Sequence, residues 1–179
     1  AKEAGATDIV VADAHGNGEN LLVERFPPDV RIVRSWPRKL QMMGGLDQTF
    51  DAAIFIGYHA STTNPSGVRA HTFSSATLTK VTLNGVEMSE GSWNAAIAGH
   101  FNVPVVMVSG DDAAVAEIRK VVGYLEGVET KRSLGFHSAL TLTPQAVQAL
   151  IGPAVKSGLA RRATLPPYRP QGPIVVDVT

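Results

Sequence analysis

Cysteine is absent from the 179-residue chain, which excludes disulfides and thiolate-held metals and leaves His, Asp and Glu as the strong ligands. Charge imbalance is absent too. Sixteen basic residues offset sixteen acidic ones without blocks of either sign, so nothing marks the chain as a partner of nucleic acid or of an anionic membrane. No apolar run is long enough to span a bilayer, and no basic-then-apolar leader opens the sequence. These absences favour small-molecule or peptide chemistry, with the cytoplasm as the default location. What is present is a 44% hydrophobic composition, enough for one good core and at most a small appendage.

Short β-branched runs at 9–12, 30–33, 52–56 and 103–108 read as strands, the first, third and fourth as core strands. Ser89 heads a helix expected to reach about His100, with Glu90 in its first turn. Asp111 and Asp112 lead into another over about 113–122, and Pro144 at the first helical position opens a third that Pro153 should kink or end. Residues 71–82 alternate partially and run into Asn84-Gly85, the preferred two-residue hairpin turn. The expected architecture is α/β: a mainly parallel sheet flanked by helices, with an antiparallel hairpin insertion. A catalytic domain is expected over 1–164. The proline-rich 165–170 stretch then reads as a stiff linker, and 174–178 as a strand opening a further region. Ala1 to Gly5 resembles the last turn of a helix with its terminal glycine, so the expectation is a piece of a longer protein.

Two of the five histidines follow apolar runs: His15 in Asp13-Ala14-His15-Gly16 and His59 in Gly57-Tyr58-His59-Ala60. In open α/β sheets ligands collect beyond the carboxyl ends of the strands, so the two imidazoles could converge there. At this stage His15 suits either a ligand or a cap hydrogen bond. His71, beyond a Ser/Thr/Asn/Pro/Gly loop, is either a mobile acid–base group or a solvated loop residue. His100 fits the dipole-favoured end of its helix, and nothing distinguishes His137. Two imidazoles and a carboxylate such as Glu90 would suit zinc. Other sites fail on inspection. Leu21 stands where a dinucleotide fingerprint beginning at Gly16 needs its third glycine, and no G-x-S-x-G elbow occurs.

Taken in order, Asp13-Ala14-His15, Gly57-Tyr58-His59-Ala60, the His71 segment, Asn84-Gly85, Glu90 with Asn94-Ala95 and Ala98-Gly99, Val103-Pro104-Val105 and Val108-Ser109-Gly110-Asp111-Asp112 resemble the D-aminopeptidase family of zinc metallopeptidases. The resemblance implies metal ligands at His15, His59 and Glu90 and a catalytic histidine at His71. It further implies two zinc ions in the complete protein, short peptide substrates with an N-terminal D-residue, and a ring-shaped homo-oligomer. The family's opening Asp-x-Glu-Gly motif, source of its remaining ligands, does not occur here. Two rival readings stay open: another metal-dependent amidohydrolase on the same scaffold, or a non-catalytic oligomeric peptide-binding relative that lost its metal pair.

Overall fold

A computed structural model describes residues 1–179. Three sheets form. β1 (Ile9–Ala12) and β2 (Val30–Val33) pair in parallel. The largest sheet runs β3 (Ala53–Tyr58), β6 (Val105–Asp111), β7 (Glu126–Gly135) and β8 (Ser138–Thr141), parallel throughout except for β8. The third is antiparallel and joins β5 (Val86–Glu87), β4 (Val81–Leu83) and β9 (Val176–Val178). Between them lie α1 (Glu90–His100), α2 (Asp112–Val122) and α3 (Pro144–Ala160).

Every residue of β6 is buried, as expected of a parallel strand covered on both faces. Val105 and Val108 pack with Phe55, with Ala95 and Ala98 of α1, and with Val115 and Ile118 of α2. Val106 and Met107 instead join Val128, Val155 of α3 and Leu165. Helices therefore cover both sides of the sheet. Full burial of each such aliphatic side chain contributes roughly 1.5–3 kcal/mol, which makes this strand the centre of the fold's stability.

Two glycines allow α1 its position. A Cβ at Gly91 would stand 2.3 Å from Ile118 Cδ1, so glycine lets α1 lie against α2 directly behind Glu90. At Gly99 a Cβ would fall 1.8 Å from the carbonyl oxygen of Tyr168, which crosses the end of the helix.

Several expectations need correction. The stretch 71–80 is loop, and only Val81–Leu83 forms the strand ahead of the Asn84-Gly85 turn. Pro153 does not end α3. The carbonyl it leaves unpaired, that of Ala149, lies on an exposed stretch where water can bond it, while Val155 and Gly158 hold the helix to the sheet. The β7–β8 hairpin had no counterpart in the sequence reading. Residues 165–170, read as a linker, pack on the domain: Leu165 is buried, and Arg169 donates to the Gly99 carbonyl at 2.9 Å. The closing strand is shorter than expected and pairs with β4. No helix is long and apolar enough to cross a membrane.

Candidate functional site

Parallel strands deliver their carboxyl ends to one rim of a sheet, and the chemistry-bearing residues follow those ends. His59 comes immediately after β3, and Asp111 ends β6. Glu90 opens α1, whose first turn is capped by Ser89. The loop after His59 then folds back on the strand ends. The His71 amide donates to the Ala60 carbonyl at 3.0 Å, and the Thr72 hydroxyl donates to the Met88 carbonyl at 2.9 Å. The Phe73 amide donates to Glu90 Oε1 at 2.9 Å. Residues 71–73 and the start of α1 are thereby laced together.

The outcome is a cluster of three. The rings of His59 and His71 lie 4.9 Å apart between centroids, and His71 Nε2 stands 3.6 Å from Glu90 Oε1. Each imidazole has a fixed tautomer. His59 Nδ1 lies 3.0 Å from the Val68 carbonyl, and His71 Nδ1 lies 2.6 Å from the Arg69 carbonyl. A carbonyl oxygen only accepts, so Nδ1 carries the hydrogen in both rings and Nε2 keeps its lone pair in the neutral form.

The electrostatics favour the neutral ring. Burial first, then the positive charges of His71 and Lys131, depress the His59 pKa, against the opposing pull of the Val68 carbonyl and Asp111. Burial likewise raises the Glu90 carboxyl, offset in part by the Phe73 N–H and by His71 and His15. His15 therefore lies within electrostatic range of Glu90, but its ring has no hydrogen bond or ion pair of its own.

His15 sits on a turn built by its neighbour. Asp13, 2% exposed, accepts the amides of Asn20 at 2.5 Å and Leu21 at 2.8 Å. Burial alone would raise its carboxyl, yet these bonds, with the Asn20 side chain, hold it below the ordinary value. Asp13 is thus the structural member of the Asp13-Ala14-His15 motif.

Strain surrounds His71 on both sides. Arg69 and Phe73 have φ of 53° and 62°, the left-handed region that residues with a Cβ rarely occupy. Left-handed residues of this kind concentrate at ligand clamps and active sites. His137, which the sequence left undistinguished, comes in beside this loop from the β7–β8 turn. Its Nδ1 accepts from the Arg69 guanidinium at 3.0 Å, and the Phe136 carbonyl accepts the Arg69 amide at 2.8 Å. His100 lies in the last turn of α1, as the helix dipole favours.

The donor set fits zinc in kind: neutral imidazoles oriented by carbonyls, and a buried carboxylate whose Oε2 makes no bond within the chain. No three of the chain's His, Asp and Glu side chains close into a metal cage by themselves. What stands at the rim is a partly assembled set of nitrogen and oxygen donors beside a held imidazole, suited to metal-assisted hydrolysis.

The D-aminopeptidase of Bacillus subtilis (strain 168) is 29% identical over 175 residues, 98% of this chain and 63% of that protein. The solved structure of the zinc-dependent D-aminopeptidase DppA from Bacillus subtilis, a self-compartmentalizing protease, superposes with a TM-score of 0.94 at 28% identity. That match covers 99% of this chain and 64% of the other. The chain therefore spans just under two thirds of the length of these relatives. The sequence profile of the Peptidase_M55 D-aminopeptidases matches residues 1–179, and the chain belongs to that family.

Proposed function

We propose that this chain carries the catalytic part of a zinc-dependent aminopeptidase that releases N-terminal D-amino acids from short peptides. The observation that carries the reading is the gathering of His59, His71 and Glu90 at the strand ends, in a chain of the D-aminopeptidase family. The stereochemical part rests on that membership alone.

In this reading His15, His59 and Glu90 hold the metal, with two ions in the complete protein. Zinc bound there would supply Lewis acidity toward a peptide carbonyl and a water nucleophilic near neutral pH. The remaining work falls to this chain's own groups. His71 Nε2, aimed by the Arg69 carbonyl behind Nδ1, takes a proton from the attacking water and returns it to the departing amine. Glu90 Oε1, anchored by the Phe73 amide, stabilises the imidazolium that exists between those two steps. The bonds of the His71 amide to the Ala60 carbonyl and of its Nδ1–H to the Arg69 carbonyl hold the ring in place.

We further propose a cytoplasmic location and a ring-shaped homo-oligomer, and the self-compartmentalizing character of the DppA neighbour supports the assembly part. Ile174, Val175, Val176 and Val178, all half-exposed, offer apolar surface that assembly would cover.

A paired-substrate assay tests the reading. Zinc-loaded protein should release alanine from a tripeptide with N-terminal D-alanine at least about tenfold faster than from the L-enantiomer, a difference of roughly 1.4 kcal/mol in the barrier. Equal rates would contradict the D-preference. No release from either peptide would contradict the peptidase.

A further inference from the structure

Asp111 is completely buried, yet its two carboxylate oxygens serve two different elements. Oδ1 accepts the Ala114 amide at 2.7 Å and caps α2. Oδ2 reaches across 43 positions of sequence to accept the Val68 amide, also at 2.7 Å. Val68 in turn presents its carbonyl to His59 Nδ1 at 3.0 Å. A capping residue needs one oxygen for the helix. The second oxygen therefore serves the loop, and the residue it grips is the one that orients the imidazole.

We propose that Asp111 is a positioning residue for His59: through Val68 it fixes the Nδ1–H tautomer and aims Nε2 into the site. This inference rests on the metal-site reading above for its zinc arm and on geometry alone for its tautomer arm. Short charge-assisted bonds from a buried carboxylate are strong, and Asp111 is anchored at the junction of the central strand and α2. Glu117, further along α2, accepts the Ser61 amide at 3.0 Å and the Asn64 side chain at 2.8 Å. The loop is thus clamped twice by one helix, and only the Asp111 clamp acts on a residue that touches an imidazole.

Asp111→Ser separates the two oxygens' duties. A serine hydroxyl caps the helix but is too short, and has too few acceptors, to hold Val68 as well. Nitrogen-15 NMR of the metal-free protein should show His59 as the Nδ1–H tautomer in wild type and as a mixture of tautomers in the variant. Zinc affinity, measured by competition with a chelating dye, should fall about 10–100-fold. Thr143→Ala, which removes the cap of α3 far from the site, should change neither reading. A folded Asp111→Ser protein that keeps the Nδ1–H tautomer, and zinc affinity within about threefold of wild type, overturns the proposal. If the serine variant does not fold, Asp111→Thr, the other hydroxyl cap, is judged by the same two results. Wild-type protein that binds no zinc would instead sink the metal-site reading, and the tautomer result would still decide the role of Asp111.

Discussion

His71→Ala is expected to lower kcat by about 10²–10⁴ while zinc content and thermal stability stay close to wild type. Three features set that expectation. The ring is only partly buried, so its removal leaves no large core cavity. Its Nδ1–H is spent on the Arg69 carbonyl, so Nε2 is the one nitrogen free to exchange protons with substrate. Its amide, which ties the loop to Ala60, is untouched by the substitution. Steady-state kinetics with zinc analysis on the same sample check the outcome. Near-normal kcat would return His71 to the status of a solvated loop residue, and loss of zinc would make it a ligand.

Glu90→Gln is expected to move stability and function in opposite directions. The amide oxygen can still accept from Phe73, but the negative charge is gone. Zinc affinity should fall by more than the roughly 10–100-fold that loss of a supporting group costs, and turnover should fall with it. The metal-free protein should meanwhile become more stable at neutral pH. Burial raises the Glu90 carboxyl above its ordinary value of 4.5. A raised carboxyl favours the folded state while protonated, so wild-type protein loses that contribution as pH rises from about 4.5 through the folded value. Glutamine never ionises and does not lose it. Melting curves in chelator at neutral and at acid pH test the sign: the advantage of the glutamine variant should shrink toward acid. A variant that melts lower than wild type at neutral pH would show that Glu90 is held by favourable charge contacts that outweigh its burial.

Local signals made the frame readable. Val and Ile runs marked β1, β2, β3 and β6, and Ser89 and Asp111 marked the starts of α1 and α2. The ordered motifs placed His15, His59 and Glu90 at element ends and His71 in a loop. What stayed hidden depends on partners far along the chain. Strand β7 mixes Glu129, Lys131 and Arg132 with its few buried residues, so its identity comes from pairing with the fully buried β6. β9 looked like an unfinished strand because its partner β4 lies about 95 residues earlier. The second duty of Asp111 was invisible for the same reason, since capping α2 already accounted for the residue. Arg69 and Phe73 gave no sign of their left-handed backbone, because neither is a residue type that favours it.

The central claim is that His59, Glu90 and His15 form one metal centre with His71 beside it but unliganded. Anomalous diffraction at the zinc absorption edge, from crystals of the zinc-loaded protein, tests it most directly. The account predicts a peak at the strand-end rim within about 2.0–2.2 Å of His59 Nε2 and a Glu90 carboxylate oxygen, with a His15 nitrogen at the same distance from that ion or from a second peak beside it. A rim without a peak, or a zinc ion bound by His71 in place of His15 and His59, would contradict it.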